Sequence, residues 1–487
     1  PPLNFPYSQP NTFIEKEMKA ASYILLASVL TVISSCSGVK DLSKPELAMP
    51  ATYTPESPND SLTIADMAWW EFYADEPLRK IITKTLENNR DLLKAAARVE
   101  QMRKLYGIEK VNLTPEVTGL LSADHETNNY GGNGTKKDPE YDLKVSVGWE
   151  VNLWGALSWA RKQSGAKYLA SVEDMRAMRM TLVAEVAEAY FRLIALDNEL
   201  DIVKQTLVTR KESLEQARLR FEGGLTSETV YQQAKVEYAS TASLVPNLER
   251  QISVARNAIT LLMGEYPAQE LERSTLYLNE TLPAKLPLGI PSTLLRRRPD
   301  IRSAEQSLAA ALSGVGLSYA DRFPNLRISL SGGLENDELS SFFKSPFSYA
   351  IGSITGSILD FGRKKKKYQA SIAAYEQARY TYEQSVLQAF TDVNNAIVTY
   401  KRVYEAAALK AELRDAASKY VQLAHVQYKG GTLNYIDVLD AQRRYFDAQI
   451  SLSNALRDEY LAVVALYKAL GGGWDMLQDD KNNTKGS

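Results

Sequence analysis

Along this chain the apolar positions change period several times, and each change marks an element. Between Tyr141 and Glu150 they fall at every second residue. Tyr141, Leu143, Val145, Val147 and Trp149 face one way, while Asp142, Lys144, Ser146, Gly148 and Glu150 face the other. Strict alternation of this kind puts the two sets on opposite faces of a strand. Aromatic ends and one polar face fit a membrane β-barrel strand, with Tyr141 and Trp149 at the two interfaces. Standing alone, the same strand fits a soluble sandwich equally well. Glu116 to Ala123 is the expected hairpin partner, and Glu126 to Glu140, with Gly131, Gly132 and Gly134, the expected exposed loop.

Elsewhere the period is helical. Pro77 opens a stripe of Leu78, Ile81, Ile82 and Leu86 that continues through Asp91 toward Ile108, and Pro115 is the latest point at which it can end. After Trp154-Gly155 comes a helix long enough to span roughly 100 Å at 1.5 Å per residue. Leu182, Val186, Ala189, Leu193, Leu196, Leu200, Val203 and Leu207 keep the four-three spacing of a coiled-coil seam along it. Gly223-Gly224 stops that helix in the manner of a C-terminal cap. A return helix then runs to Met263, where Gly264 and Pro267 end it.

The same order follows a second time. Pro283 to Pro291 is a connector, and Arg298 to Ala311 repeats the helix that contains Asp91. Leu326, Ile328 and Leu330 alternate as a third strand, Ser348 to Leu359 supplies a fourth, and Glu335 to Phe347 is the second exposed loop. Phe361-Gly362 answers Trp154-Gly155, and a second seam follows at Val386, Phe390, Val393, Ile397, Tyr400, Tyr404, Ala407 and Ala411. Gly430-Gly431 ends that helix, and its return runs to Leu470. The chain therefore reads as a tandem duplication. Its expected parts are an N-terminal extension and lipoprotein signal (1–35), a lipidated tether and start of the folded region (36–76), a first repeat (77–264), a connector (265–291), a second repeat (292–470) and a tail (471–487).

Residues 1–17 precede Met18 and are expected to be an artefact of cloning or of the gene start. From Met18 the pattern is a secretion signal: Lys19, an apolar run from Tyr23 to Ile33, then Ser34-Ser35. The chain's one cysteine, Cys36, stands at the cleavage point. Ile33-Ser34-Ser35-Cys36 is similar to the bacterial lipobox, with Ile33 and Ser35 in place of the commoner Leu and Gly or Ala. On that reading Cys36 is the acylated first residue, palmitate being one such chain, and each buried methylene adds about 0.8 kcal/mol of anchoring.

Composition narrows the function. A net charge of −2 gives no field for binding nucleic acid. One cysteine and two histidines leave no disulfide scaffold and no Cys/His zinc site. His125, expected in a loop, and His425, near the end of the second long helix, have no partner at a ligand or triad spacing, so neither an enzyme nor a metal or cofactor site is expected. Arg363 to Lys367 reads as a solvated helix start or as a contact for anionic lipid headgroups. Asp437 and Asp440 open the last helix three residues apart and share a face. Around a threefold axis they form a ring of acids whose repulsion raises some of their pKa values and favours cations. As helix-opening acids they also stabilise the dipole by about 0.3–1 kcal/mol each. The corresponding positions of the first repeat are Val230 and Gln233.

Four strands cannot close a barrel, since about eight is the usual minimum, and open strand edges are not tolerated in lipid. Three copies supply twelve strands and a closed wall of helices. A filamentous periplasmic adaptor or spacer lipoprotein without a pore also accounts for the helices, but not for Tyr141 to Glu150. Over nearly all of its mature length the chain resembles the TolC family of trimeric outer-membrane channels, in its lipid-anchored efflux branch. The resemblance is strongest at Leu294 to Arg302, Tyr428 to Gly431 and Ile436 to Gln442. It implies a mixed fold, a twelve-stranded barrel in the outer membrane of a Gram-negative-type bacterium continued by a long α-helical coiled-coil tunnel in the periplasm. It further implies a homotrimer working with a periplasmic adaptor and an inner-membrane pump. Asp437 and Asp440 then line the tunnel entrance, and Gly223, Gly224, Gly430 and Gly431 form hairpin tips facing the adaptor.

Overall fold

A computed structural model of the chain describes residues 42–45, 50, 52–53, 63–128, 136–267, 270–275 and 286–474. The expected signal, Cys36, the loop glycines Gly131 to Gly134 and the tail beyond Trp474 lie outside the described residues. The principal helices are α1 (Glu76–Asn88), α2 (Arg90–Val111), α3 (Ala156–Glu222), α4 (Glu228–Leu262), α5 (Pro299–Ala320), α6 (Arg363–Lys429) and α7 (Tyr435–Ala469). The strands are β1 (Glu116–Asn128), β2 (Lys136–Val151), β3 (Asn325–Asn336) and β4 (Pro346–Thr355). Two compact units cut across the repeats. One gathers the described parts of Pro1–Pro45, Pro115–Trp159 and Leu312–Ala373; the other holds the described parts of Glu46–Thr114, Ala160–Ala311 and Ala374–Ser487.

In the first unit the strands form one antiparallel sheet in the order β1-β2-β3-β4. The strands run further than their alternation does. Pairing between β1 and β2 continues to Asn128↔Lys136, so most of the expected loop is strand, and His125 lies in β1 opposite Pro139. Backbone groups pair there without needing an apolar face. The second loop is trimmed only at its ends, to 337–345, and holds a short 3-10 helix at Phe342–Lys344 with Phe342 buried. β4 stops at Thr355 rather than Leu359, leaving Ile358 and Leu359 exposed.

The faces of this sheet are inverted relative to a water-soluble one. Val117, Leu121, Val145, Leu330 and Ile354 share one face and are exposed, while Asp142, Lys144, Ser146 and Glu150 on the other are half-buried. On the polar face the hydroxyls of Ser146 and Ser331 lie 2.8 Å apart, and Lys144 Nζ lies 5.2 Å from the Tyr349 ring centroid. An apolar face turned outward over a hydrogen-bonded polar one is the arrangement of a barrel wall in lipid.

The second unit is helical. The stripe expected to run unbroken from Pro77 toward Ile108 is two helices, because Asn89 takes an extended conformation (φ −60°, ψ 125°) between them. Its side chain accepts from the N–H groups of Asp91 and Leu92 at 3.0 and 3.1 Å and donates to the Leu262 carbonyl at 2.8 Å. That is an N-cap, and it makes the break favourable. The α6 seam is buried at Val386, Val393, Tyr400 and Ala407, as its spacing predicts. The α3 seam is broader than two facing helices require. From Leu182 to Ala195 most residues are buried, including Val183, Ala187, Tyr190 and Ile194, which lie off the four-three stripe. The irregular segments supply the extra cover: Tyr190 Oη donates to Asp75 at 3.0 Å and accepts from the Ser274 N–H at 2.9 Å. Nearby, Phe72 stacks on Tyr467 at 4.0 Å, and Arg298 bridges Asp300 and Asp392 at 2.6 and 2.9 Å.

The duplication is written in the backbone. Gly155 and Gly362, Gly224 and Gly431, and Gly264 and Gly471 all have positive φ, and each pair is 207 positions apart. α3 and α6 each have 67 residues, and α4 and α7 each have 35. α2 and α5 are 209 apart, so the two-residue difference falls in the strand hairpins.

Candidate functional site at the hairpin tips

Both tips end their long helices the same way. Gly224 donates to the Phe221 carbonyl at 2.9 Å and Leu225 to Arg220 at 2.8 Å; Gly431 donates to Tyr428 and Thr432 to Gln427, both at 3.0 Å. These are Schellman motifs, which need a left-handed residue at one position. Gly224 (φ +69°) and Gly431 (φ +80°) occupy it; Gly223 and Gly430 do not have positive φ. The four glycines read as equivalent from the sequence therefore divide into two required and two permissive positions.

Beyond the turn the tips diverge. In the second, Asp437 Oδ2 accepts from the Asn434 N–H at 3.3 Å and closes the start of α7. Asp440 is held by Arg443 at 2.6 Å and Arg444 at 2.7 Å. The Arg444 hydrogen bond, with Arg443 beside it, lowers the Asp440 carboxyl below its ordinary range. Within one chain Asp440 thus has its own cationic partners, one turn along the same helix. No motif singles out Arg443 and Arg444 in the sequence; their spacing of three and four residues from Asp440 is the signal that pairs them with it.

Under the acids a small core of Ala424, Val438 and Ala441 is packed by Val421, Tyr428, Leu433 and Tyr435. Tyr435 Oη donates to the Ser213 carbonyl on α3 at 3.3 Å, and burial raises its phenol above the ordinary value. The Arg220 guanidinium lies 5.5 Å from the Tyr428 ring centroid. His425 and Gln442 approach at 3.2 Å, so that histidine is bound into the α6–α7 contact. Between α4 and α7 lies an open cleft of about 880 Å³, with Glu228, Gln233 and Glu237 on one wall and Asp437, Asp440 and Arg443 on the other. Further along, buried Arg210 is paired with Glu237 at 2.9 Å and also contacts Thr241. No motif marked Arg210 in the sequence. Among the described residues no group of three or more His, Cys, Asp or Glu side chains could hold a metal ion.

Of the other candidates, Tyr141 and Trp149 both lie on β2, opposite Ala123 on β1 and Ile328 on β3 respectively. The basic run opens α6: Lys367 is paired with Asp321 at 2.6 Å, and Asp360 accepts the N–H groups of Gly362 and Lys364.

A family model described as outer membrane efflux protein matches residues 81–265 and again 290–472, once for each repeat. The chain belongs to the outer membrane efflux protein family. The toluene efflux pump outer membrane protein TtgI of Pseudomonas putida is 30% identical over 462 residues, covering 92% of this chain and 98% of that protein. The cation efflux system protein CusC of Escherichia coli is 28% identical over 454 residues, covering 92% and 97%. Among solved structures, the outer-membrane channel OprN superposes with a TM-score of 0.81 at 29% identity, covering 89% of this chain and 99% of that one. This efflux protein is thus an outer-membrane channel, the exit duct of a tripartite pump. Its four strands are one third of a twelve-stranded barrel completed by a trimer, and its helical part lies in the periplasm. A poreless spacer is excluded by the same membership. Family members are transport channels that work with an adaptor and an inner-membrane pump.

Proposed function

We propose that the second hairpin tip is the gate of this duct, with Asp437 and Asp440 at the constriction. The observation that carries the reading is the asymmetry between tips of shared backbone design. The first has Val230 and Gln233 where the second has the two acids. The second is also tethered to α3 by Tyr435 and by the Arg220–Tyr428 contact. Near the turn these contacts are a phenol hydrogen bond and a cation–ring contact, which can be released without unfolding the helices, while Arg210 against Phe446 holds α7 to α3 further along. The glycine turns Gly223-Gly224 and Gly430-Gly431 are the surfaces offered to the adaptor. Tyr141 and Trp149 mark the two membrane interfaces, and acylated Cys36 adds a lipid anchor.

Cargo is set elsewhere, in the pump. Relatives of this length and similarity are named for toluene and for cations, which share no recognition chemistry. The duct's contribution is a water-filled path with an acidic mouth.

The test is reversal potential in planar bilayers. Asp437→Asn with Asp440→Asn keeps side-chain oxygens for the helix start and removes the charge, so cation selectivity falls. Arg443→Gln with Arg444→Gln leaves Asp440 unpaired, so selectivity rises. If neither pair changes the reversal potential, the acids serve only the helix start and the gate lies elsewhere.

A further inference from the structure

The two halves of the chain meet each other, and the duplication lets that meeting be carried to the next copy. In the sheet, β2 of the first half pairs with β3 of the second: Ser146 is opposite Ser331, Val147 opposite Leu330 and Val145 opposite Gly332. Just past the strand ends, Trp154 stacks on Phe323 at 4.7 Å and donates its indole N–H to the Pro324 carbonyl at 2.7 Å. In the helical unit, Glu173 on α3 pairs with Arg302 on α5 at 2.8 Å, and Ser303 donates to Asp174.

The outer edges have no such cover. β1 and β4 each have one neighbour. α2 buries no residue, whereas its repeat mate α5 buries Ile301, Leu308 and Val315. Just before α6 Phe361 is 95% exposed, and on α6 Tyr380 is 58% exposed.

By the repeat offsets, β2 and α3 correspond to β4 and α6 at 207 residues, and β3 and α5 correspond to β1 and α2 at 209. Each contact between halves therefore maps onto one contact between copies. Ser146 and Ser331 become Ser353 and Ser122, both again serine. Val147 and Leu330 become Ile354 and Leu121; Val145 and Gly332 become Gly352 and Ala123. Trp154 on Phe323-Pro324 becomes Phe361 on Thr114-Pro115. The Glu173–Arg302 ion pair becomes Tyr380 and Leu93, and Asp174 with Ser303 becomes Thr381 with Lys94.

We propose that a second copy of this chain seats its β1 against β4 with Ser122 opposite Ser353, and its α2 against α6 with Leu93 under Tyr380. The trimer of the family is taken as given, and the register and chemistry of its seam are what is added. The central mapped pairs keep Ile354, Leu121 and Ala123 on the lipid face and Ser122 and Ser353 on the polar face, which a one-residue slip would reverse. The two seams differ in kind. Within the chain, the junction is locked by an ion pair and an indole hydrogen bond. Between copies the mapped contacts place the Phe361 ring over Thr114-Pro115 and a tyrosine on a leucine, with no ion pair, so the seam responds to apolar truncation rather than to salt.

Cysteine cross-linking in membranes of the full-length protein tests the register. Ser122→Cys with Ser353→Cys, oxidised, should convert more than half of the chain to dimer- and trimer-mass species that collapse on reduction. Ser146→Cys with Ser331→Cys should close within one chain without gain in mass and so calibrates the oxidation; single-cysteine variants control for Cys36. Leu120→Cys or Asp124→Cys, each with Ser353→Cys, reports a register shifted by two. Lys94→Cys with Thr381→Cys, joined by a short thiol-bridging reagent, examines the helical seam independently of the sheet. Linking by a shifted pair overturns the sheet register, as does absence of oligomers from the Ser122–Ser353 pair while the calibrating pair closes. Failure of the Lys94–Thr381 pair alone overturns the helical half.

Discussion

Glu459 on α7 stands where Ile252 is buried in the first half, and Tyr400 on α6 stands where Leu193 is buried. Two duplicated core positions have thus become polar in one copy only. Burial raises the Glu459 carboxyl from 4.5 to about 7, and burial with Glu459 nearby raises the Tyr400 phenol to about 12. Between those two carboxyl values the folded protein keeps a proton on Glu459 that the unfolded chain has released. Stability from this group is therefore full below about pH 4.5 and is lost as pH rises toward 7. At about 1.4 kcal/mol per unit, the loss at pH 8 is at most about 3 kcal/mol. Glu459→Gln should raise the thermal midpoint of the trimer at pH 8 and leave it unchanged near pH 4; equal midpoints at both would show that the carboxyl is solvated in the assembly. Asp440 runs the other way: its lowered value means that its pairing with Arg443 and Arg444 persists above the ordinary aspartate range and is lost only in stronger acid.

At the scale of elements, the hairpin turn separates conformational need from mere presence. An alanine at Gly431 must hold φ +80° although nothing crowds its Cβ, whereas Gly430 has no such demand. A left-handed non-glycine residue costs about 1–2 kcal/mol. Gly431→Ala is therefore expected to destabilise by about 1 kcal/mol or more, with Gly430→Ala neutral or slightly stabilising through the unfolded chain. Matching midpoints for the two variants would contradict the left-handed assignment. Helix identity, the glycine stops and the repeat were legible in the sequence because periodicity, Gly and Pro act locally. The break at Asn89 was not, since an asparagine inside a helical stripe looks tolerable until Leu262 accepts from its amide. The strand ends were illegible for a similar reason: neighbours set ladder length, and at His125 opposite Pro139 the alternation had already faded. At the site, the acids were visible by spacing, while Arg443, Arg444 and Tyr435 acquire meaning only from what they touch.

At the scale of the whole molecule, one face rule decides whether the sheet can live in a membrane. Val145 lies mid-strand on the outward face, paired with Gly119 and Gly332, so a side chain placed there has no protein cover. Leu120 lies on the other face opposite Lys144, where the chain already carries a charge. Arginine on a lipid face near the bilayer midplane costs about 2–4 kcal/mol, whereas a lumen position bears charge with little penalty. Val145→Arg should therefore cut the yield of folded trimer in the outer membrane severalfold, with Val145→Glu acting in the same sense but less. Leu120→Glu should fold at near wild-type yield and gain a pairing with Lys144. The readout is the heat-resistant trimer fraction on gels of unboiled membranes. Because the substitutions differ in which way a strand residue points, general intolerance of charge would depress both. A soluble sheet would do the reverse: Val145→Arg would be harmless on an exposed face, and the half-buried polar side would suffer.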